Sequence, residues 1–365
     1  MWISSPFIKN PLQSNCSVCT GDRGSRPIGD LIPLTDRELA GLDQSVTSTT
    51  HISRSIRRNR GAAAVALAAA TVLLAGCSSN DGKADNPLSD NSKAGGDTVV
   101  VGSNNFPEST LLADIYGEAL KAKGIKVTYK PNIGSRETTY GLIKNGSISV
   151  LPEYNGALLA YLDPKAAPKT LAETTDAISA KLDSKLTLLD PAPAQDKDSI
   201  TVNAATAKKY QLTEKSSIAD LKDIAKDLVI GASPEFQTRQ QGLVGLKSVY
   251  GLEFKSFKAL DAGGPLTLAA LKKDAVQAAD IFTTDPNISK EKFVVLQDPK
   301  NLFGFENIQP LAYKGALSKE GVDALNAVSA KLDTATLLDL DTQVQAQNKD
   351  PLDVAKAWLK SAGLG

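Results

Sequence analysis

T-V-V-V-G-S-N-N-F-P-E-S-T-L-L-A-D-I-Y-G-E-A-L-K-A-K-G-I-K-V-T-Y-K, residues 98–130, carries the reading of the fold. Residues 98–102 read as a strand. Leu111, Leu112, Ile115, Tyr116, Ala119 and Leu120 then recur at helical spacing, and Gly124 sits where a helix C-cap is expected. A second strand is expected over 126–130, a helix around 138–144 and a strand at 148–151. Such βαβα order argues for a mostly parallel sheet with helices on both faces.

Downstream the pattern restarts. Strands are expected at 200–202, 228–231, 254–257, 279–283 and 293–296, with helices between them at 243–250 and 266–273, among others. After a last strand near 308–313 the chain reads as helical to its end, most clearly over 334–347 and 352–362. The unit around 142–150 resembles the unit around 271–281: a helix end, a short turn, then a strand. Two α/β halves with a helical tail predict two lobes with ligand between them, because open α/β sheets bind ligands outside the carboxyl ends of their strands.

Upstream lies a different kind of sequence. Arg54, Arg57, Arg58 and Arg60 form a basic segment, and residues 61–76 then carry no charge. That run is shorter than the ~20 apolar residues a spanning helix needs, and it suits a signal peptide. It ends in Leu74-Ala75-Gly76-Cys77, which matches the bacterial lipobox and predicts a lipid on Cys77. Residues 78–97 are nearly devoid of apolar side chains and read as a flexible tether. Residues 1–53 precede the basic segment, although signal peptides begin near the initiator. They are therefore expected to be a mis-called extension, with initiation downstream at a non-ATG codon. The Cys16-x-x-Cys19 pair falls in this extension.

Composition excludes several function classes. The 365 residues carry 41 basic and 41 acidic side chains, of which 33 and 36 lie from Cys77 onward. No strong positive field exists there for nucleic acid. The three cysteines are Cys16, Cys19 and Cys77, and the single histidine is His51. No intrachain disulfide can form from Cys77 onward, and neither a Ser-His-Asp hydrolase nor a His-ligated zinc site can be assembled there.

Six motifs follow in order: G-S-N-N-F-P-E-S (102–109), G-S-R-E-T-T-Y (134–140), L-P-E-Y-N-G (151–156), P-A-P-A-Q-D (191–196), L-D-A-G-G-P-L-T (260–267) and F-T-T-D (282–285). Through them residues 98–313 resemble the binding proteins of osmoprotectant, quaternary-amine ABC importers, the glycine betaine/choline/carnitine group. The resemblance implies an α/β type II periplasmic-binding-protein fold with a two-crossover hinge. Lobe 1 would comprise 98–196 plus 304–365, and lobe 2 197–303. It also implies a non-enzymatic monomer with no cofactor and no metal, lipid-anchored on the outer face of the cytoplasmic membrane. Its partners would be a small solute and an ABC permease and ATPase complex.

By the same resemblance Tyr154 is a cage tyrosine, since a quaternary ammonium is held by aromatic faces. Asn104 stands where many relatives carry Lys, on a turn that aims backbone N–H groups at a ligand. Arg239 matches an Arg that relatives use on a carboxylate. Arg136 and Tyr140 are expected to line the site from the second helix. Thr284 and Asp285 have two readings, site or hinge contact and capping, as does Asp261, near the cleft or capping a helix. Three departures stand out. Residues 199–201 hold no aromatic, Ala157 replaces a common Thr, and the expected tyrosine at 303–307 is missing, leaving Phe303, Phe305 and Asn307. A full tyrosine box cannot be assembled by carry-over, so the pocket is expected to be more polar than that of the betaine binders. A different small polar solute, such as an amino-acid derivative, is the first alternative; an enzyme on a two-lobed fold and a structural lipoprotein are remoter ones.

Overall fold

The computed structural model describes residues 98–365. The extension expected at 1–53, the leader at 54–76, Cys77 and the tether at 78–97 lie outside the described residues.

The chain opens with β1 (Thr98–Gly102), α1 (Pro107–Lys121), β2 (Lys126–Lys130), α2 (Arg136–Lys144), β3 (Val150–Tyr154), α3 (Asn155–Leu162), α4 (Leu171–Lys181) and β4 (Leu186–Leu188). It then crosses to a second lobe with β5 (Ile200–Val202), α5 (Ala204–Tyr210), β6 (Val229–Ala232), α6 (Gly245–Tyr250), β7 (Ser256–Ala259), α7 (Pro265–Lys272), β8 (Ala278–Asp280), α8 (Asn287–Lys290) and β9 (Val294–Val295). It returns as β10 (Ile308–Tyr313), α9 (Lys319–Lys331), α10 (Thr334–Asp341) and α11 (Pro351–Ser361). The long helix expected over 334–347 ends at Asp341 and widens into a π-helical turn over Thr342–Ala346.

Two five-stranded sheets result, ordered β2-β1-β3-β10-β4 and β7-β6-β8-β5-β9. The likeness of 142–150 to 271–281 is realised here: β3 and β8 hold the same middle place in their sheets. The expectation of mostly parallel sheets holds for four of the five strands in each, with one strand reversed. β10 runs antiparallel to both β3 and β4, and β5 antiparallel to both β8 and β9. In each sheet the reversed strand is the one that meets the other lobe. Strand direction there follows from the crossing and is not encoded in residue periodicity.

Alternation within the strands explains the layering. In the first sheet Val150 joins an apolar cluster with Leu111, Leu112, Ile115 and Leu120 of α1, while Leu151 joins one with Ile143 and Leu158. In the second, Ala278 and Ala279 divide in the same way between two clusters. Each fully buried aliphatic side chain of these clusters contributes about 1.5–3 kcal/mol. Helices α9 and α11 pack along α1, which leaves α1 almost wholly covered.

β3 extends beyond the expected 148–151 through Pro152 to Tyr154. Pro152 lies opposite Pro310 in the antiparallel pair. The inter-strand bonds fall on the alternate positions, Tyr313 N–H to the Ser149 carbonyl at 2.9 Å and Asn155 N–H to the Asn307 carbonyl at 3.1 Å. The two prolines therefore occupy a pair that needs no N–H between its members.

The crossovers, residues 189–199 and 296–307, run beside one another. Gln195 and Asn307 form an antiparallel bridge, and Asp196 N–H donates to the Glu306 carbonyl at 3.0 Å. Gly156 sits against the returning crossover: a Cβ there would lie 2.3 Å from the Phe305 carbonyl oxygen.

Candidate functional site

The carboxyl ends of β1, β3, β6 and β8 and the two crossovers enclose a cavity of about 50 Å³. At ~10–15 Å³ per water position, it seats on the order of four waters, and an adjoining hollow shares Arg136, Ala157, Asp198 and Arg239 with it. From the first lobe the turn after β1 supplies Asn104 and Phe106, the first residue of α2 supplies Arg136, and the end of β3 supplies Tyr154. From the second lobe come Arg239, Phe282 and Asp280, the last residue of β8. The crossovers add Asp196, Asp198 and Glu306.

Three aromatic rings form one wall. Phe106 stands 5.8 Å from Tyr154 and 5.0 Å from Phe282, tilted by 45° and 51°. Phe106 and Tyr154 belong to the first lobe and Phe282 to the second, so the wall exists only while the lobes are together. Two further contacts hold that arrangement. Thr284 Oγ1 donates to Glu108 Oε2 at 2.6 Å, and Arg239 grips Glu137 through Nε at 3.0 Å and Nη2 at 2.8 Å. Partial burial opposes ionisation of Glu137, yet the hydrogen bonds from Arg239 and Ser135 outweigh it and hold the carboxyl at about 2.

The remaining electrostatics are dominated by buried carboxyl groups. Arg136 Nε donates to both oxygens of Glu153, at 3.1 and 3.0 Å, and both side chains are buried. Asp196 accepts from the Thr284 N–H at 3.1 Å and the Thr283 hydroxyl at 3.2 Å. Glu306 accepts from the Ala157 N–H at 2.9 Å and Gln241 Nε2 at 2.8 Å. Burial pushes Asp196, Asp280 and Glu306 well above the usual carboxylate range, and neighbouring acids add to it. Below the aromatic wall the Tyr154 hydroxyl donates to Glu108 Oε1 at 2.6 Å. Burial, reinforced by the charge and hydrogen bond of Asp341, raises Glu108 strongly. The lining is thus rich in buried carboxyl groups, with both arginines already paired to carboxylates.

Of the residues singled out from sequence, Asn104, Arg136, Tyr154 and Arg239 line the cavity. Asn104 Oδ1 is held by the Thr139 hydroxyl at 2.7 Å. The other five are placed elsewhere. Tyr140 packs on Tyr161 at 5.2 Å, and its hydroxyl accepts from the Asp183 N–H at 3.3 Å, because its place on α2 faces the apolar layer rather than the cleft. Asp261 caps α7, accepting from the N–H groups of Leu266 and Thr267 at 3.0 and 2.8 Å. Asp285 accepts from the backbone and side chain of Asn287 at 2.7 and 2.9 Å. Thr284 is an interlobe contact. Asn307 braces the crossover, with Nδ2 donating to the Ala192 carbonyl at 2.9 Å. Phe303 is buried in the second lobe's core, and Phe305 lies under Lys197 at 5.7 Å.

Sequence reasoning missed Phe106 and Phe282, although both stand inside quoted motifs directly after strands. It also missed Asp198 and Asp280. The signal for Asp280 was present, an acidic residue ending the apolar strand A-A-D. Among the described residues no group of three or more His, Cys, Asp or Glu is placed to hold a metal ion.

Comparison with known proteins places this geometry. The profile of a family described as the substrate binding domain of ABC-type glycine betaine transport system matches residues 97–361. The glycine betaine-binding protein YehZ of Escherichia coli is 29% identical over 286 residues, 73% of this chain and 90% of that protein. A glycine-betaine-binding protein of Pseudomonas aeruginosa is 25% identical over 281 residues, covering 72% and 88%. Among solved structures, a glycine betaine/carnitine/choline ABC transporter protein superposes with a TM-score of 0.57 at 24% identity, covering 73% of this chain and 99% of its own. The expected type II periplasmic-binding-protein fold is thereby shown, and the chain belongs to the family of substrate-binding domains of ABC-type glycine betaine transport systems.

Proposed function

We propose that this chain is an extracytoplasmic lipoprotein that binds a small cationic or zwitterionic amine between its lobes and delivers it to an ABC permease and ATPase complex. The observation that carries the reading is the wall of Phe106, Tyr154 and Phe282, drawn from both lobes and facing a carboxyl-rich cavity. Each aromatic face contributes about 0.5–2 kcal/mol to holding a cation, and a site built from two lobes couples binding to closure. Ligand-bound, closed protein is then the form a permease would receive. The reading is one of binding rather than catalysis: Glu108, Glu153, Asp196 and Glu306 are each held by hydrogen bonds that explain their burial.

Calorimetric titration against glycine betaine, choline, carnitine, proline betaine and ergothioneine tests the ligand class. Binding of at least one is expected, and Tyr154→Ala should weaken it ten-fold or more, roughly the loss of one cation–π face with its packing. Silence towards every amine would sink the ligand assignment.

The anchor is tested separately. No helix among the described residues is long and apolar enough to cross a membrane, and attachment through Cys77 is read from the lipobox. Radiolabelled fatty acid is expected to mark the wild type and not Cys77→Ala; equal labelling would remove the anchor and leave the binding site untouched.

A further inference from the structure

The aromatic wall has a polar counterpart. Phe106 and Phe282 stand 5.0 Å apart across the two lobes. Two residues further along each segment the lobes meet again, Thr284 Oγ1 donating to Glu108 Oε2 at 2.6 Å. The two contacts are successive rungs between the same pair of segments, the start of α1 and the turn after β8. Tyr154 touches both rungs: its ring lies 5.8 Å from Phe106, and its hydroxyl donates to Glu108 Oε1 at 2.6 Å. Thr284 is itself fixed to a crossover, its N–H donating to Asp196 Oδ1 at 3.1 Å. Glu108 and Thr284 are each 2% exposed and Tyr154 is 5% exposed. Each buried hydroxyl therefore depends on this one carboxyl for its acceptor, with one oxygen for each lobe. Leaving such a group unpaired costs about 1–3 kcal/mol.

We propose that Glu108 is a positioning residue that passes lobe closure to the ligand site: Thr284 of the second lobe sets the Glu108 carboxyl, and Glu108 sets the ring of Tyr154. The proposal rests on the amine site described above and adds a residue that acts on it without lining the cavity. When the lobes come together, Thr284 fixes Oε2 and the carboxyl can no longer turn. Oε1 then holds the Tyr154 hydroxyl, and the ring face is locked towards the cavity beside Phe106. A ring held in place before the cation arrives gives up less freedom on binding, which is the advantage of preorganisation. With the lobes apart the carboxyl loses its second partner and the ring is held less firmly.

A double-mutant cycle on the full chain tests the relay, with glycine betaine and choline as calorimetric probes. Tyr154→Phe keeps the aromatic face and removes the tie to Glu108. Thr284→Val keeps the side chain's shape and removes the tie from the second lobe. Each is expected to weaken binding about three- to tenfold, the range for one hydrogen bond. The double variant should bind within about twofold of the weaker single, because a relay cut at one end loses little more when cut at the other. Thr284→Ser retains the hydroxyl and should bind within about twofold of the wild type, although it lacks the methyl group. Losses that multiply in the double variant overturn the relay. So does a Thr284→Ser that binds no better than Thr284→Val, the ranking expected if packing alone mattered. Both outcomes leave the amine site standing. Silence of the wild type towards both probes overturns the site and the relay together.

Discussion

Arg136→Ala is expected to destabilise the domain by about 3–5 kcal/mol, the range for breaking a buried ion pair from one side. Arg136 is 8% exposed and Glu153 is fully buried. Burial works against the guanidinium's charge, but Glu153 and then Glu306 more than compensate and hold it above its ordinary range. Glu153 has one other donor, the Tyr154 N–H at 3.1 Å. Deleting the arginine leaves a carboxylate in the sheet's interior with that single amide. Thermal melts should fall by roughly 6–20 °C at about 2–4 °C per kcal/mol. Arg136→Ala combined with Glu153→Gln should recover much of the loss, because most of it is the stranded charge rather than the pair's own worth. A shift below about 1 kcal/mol in the single variant would mean that the site relaxes to admit water.

Asp341→Asn is expected to do the opposite and stabilise the protein above neutrality. Asp341 closes α10 where the helix widens, fully buried beneath the aromatic wall, with Oδ1 accepting from Gln345 Nε2. Burial raises its carboxyl from 3.8 to about 7, with Asp196 and Asp285 adding to it against the hydrogen bonds from Glu108 and Gln345. Because the folded value exceeds the unfolded one, the native state holds the proton more tightly. Stability from this group is complete below about 4 and is lost as pH climbs through about 7. At 1.36 kcal/mol per unit, the loss is on the order of 2–4 kcal/mol. An asparagine keeps the shape, cannot ionise, and offers its N–H to Glu108. Melts at pH 8 should favour Asp341→Asn by about 2 kcal/mol, and at pH 4 the difference should largely vanish. Destabilisation at pH 8 would show that the carboxylate itself is needed there.

The first βαβ segment was legible because its two periods are clean: β1 lies at its expected bounds and α1 carries its apolar stripe inward. What escaped the sequence was non-local. α3 begins at the residue after β3 with no turn signal between them, so N-G-A-L-L-A-Y-L did not announce itself. The strand expected at 148–151 stopped short of Pro152, whose place in β3 lies opposite Pro310, far along the chain. The aromatic wall was sought at 199–201 and 303–307, where relatives place rings. Phe106 and Phe282 supply it instead, from loops whose meeting depends on both lobes. Tyr140, Asp261 and Asp285 stand in motifs that carried the resemblance and Asn307 in a stretch that departs from it, and each is occupied by a neighbour: an apolar layer, a helix end, a turn, a crossover. Motif membership marks a place in the fold, and only packing decides which side chains reach the cavity.

The order of strands has a last consequence, for assembly. The second lobe is one uninterrupted stretch, β5 to β9, whereas the first sheet is built from two distant stretches and has β10, not β4, next to β3. A growing chain can complete the later lobe while the earlier one still lacks an inner strand and the helices that cover α1. The half of the molecule made first is the half finished last, and β3, with Glu153 and Tyr154 on it, keeps an open edge until residues 308–313 arrive.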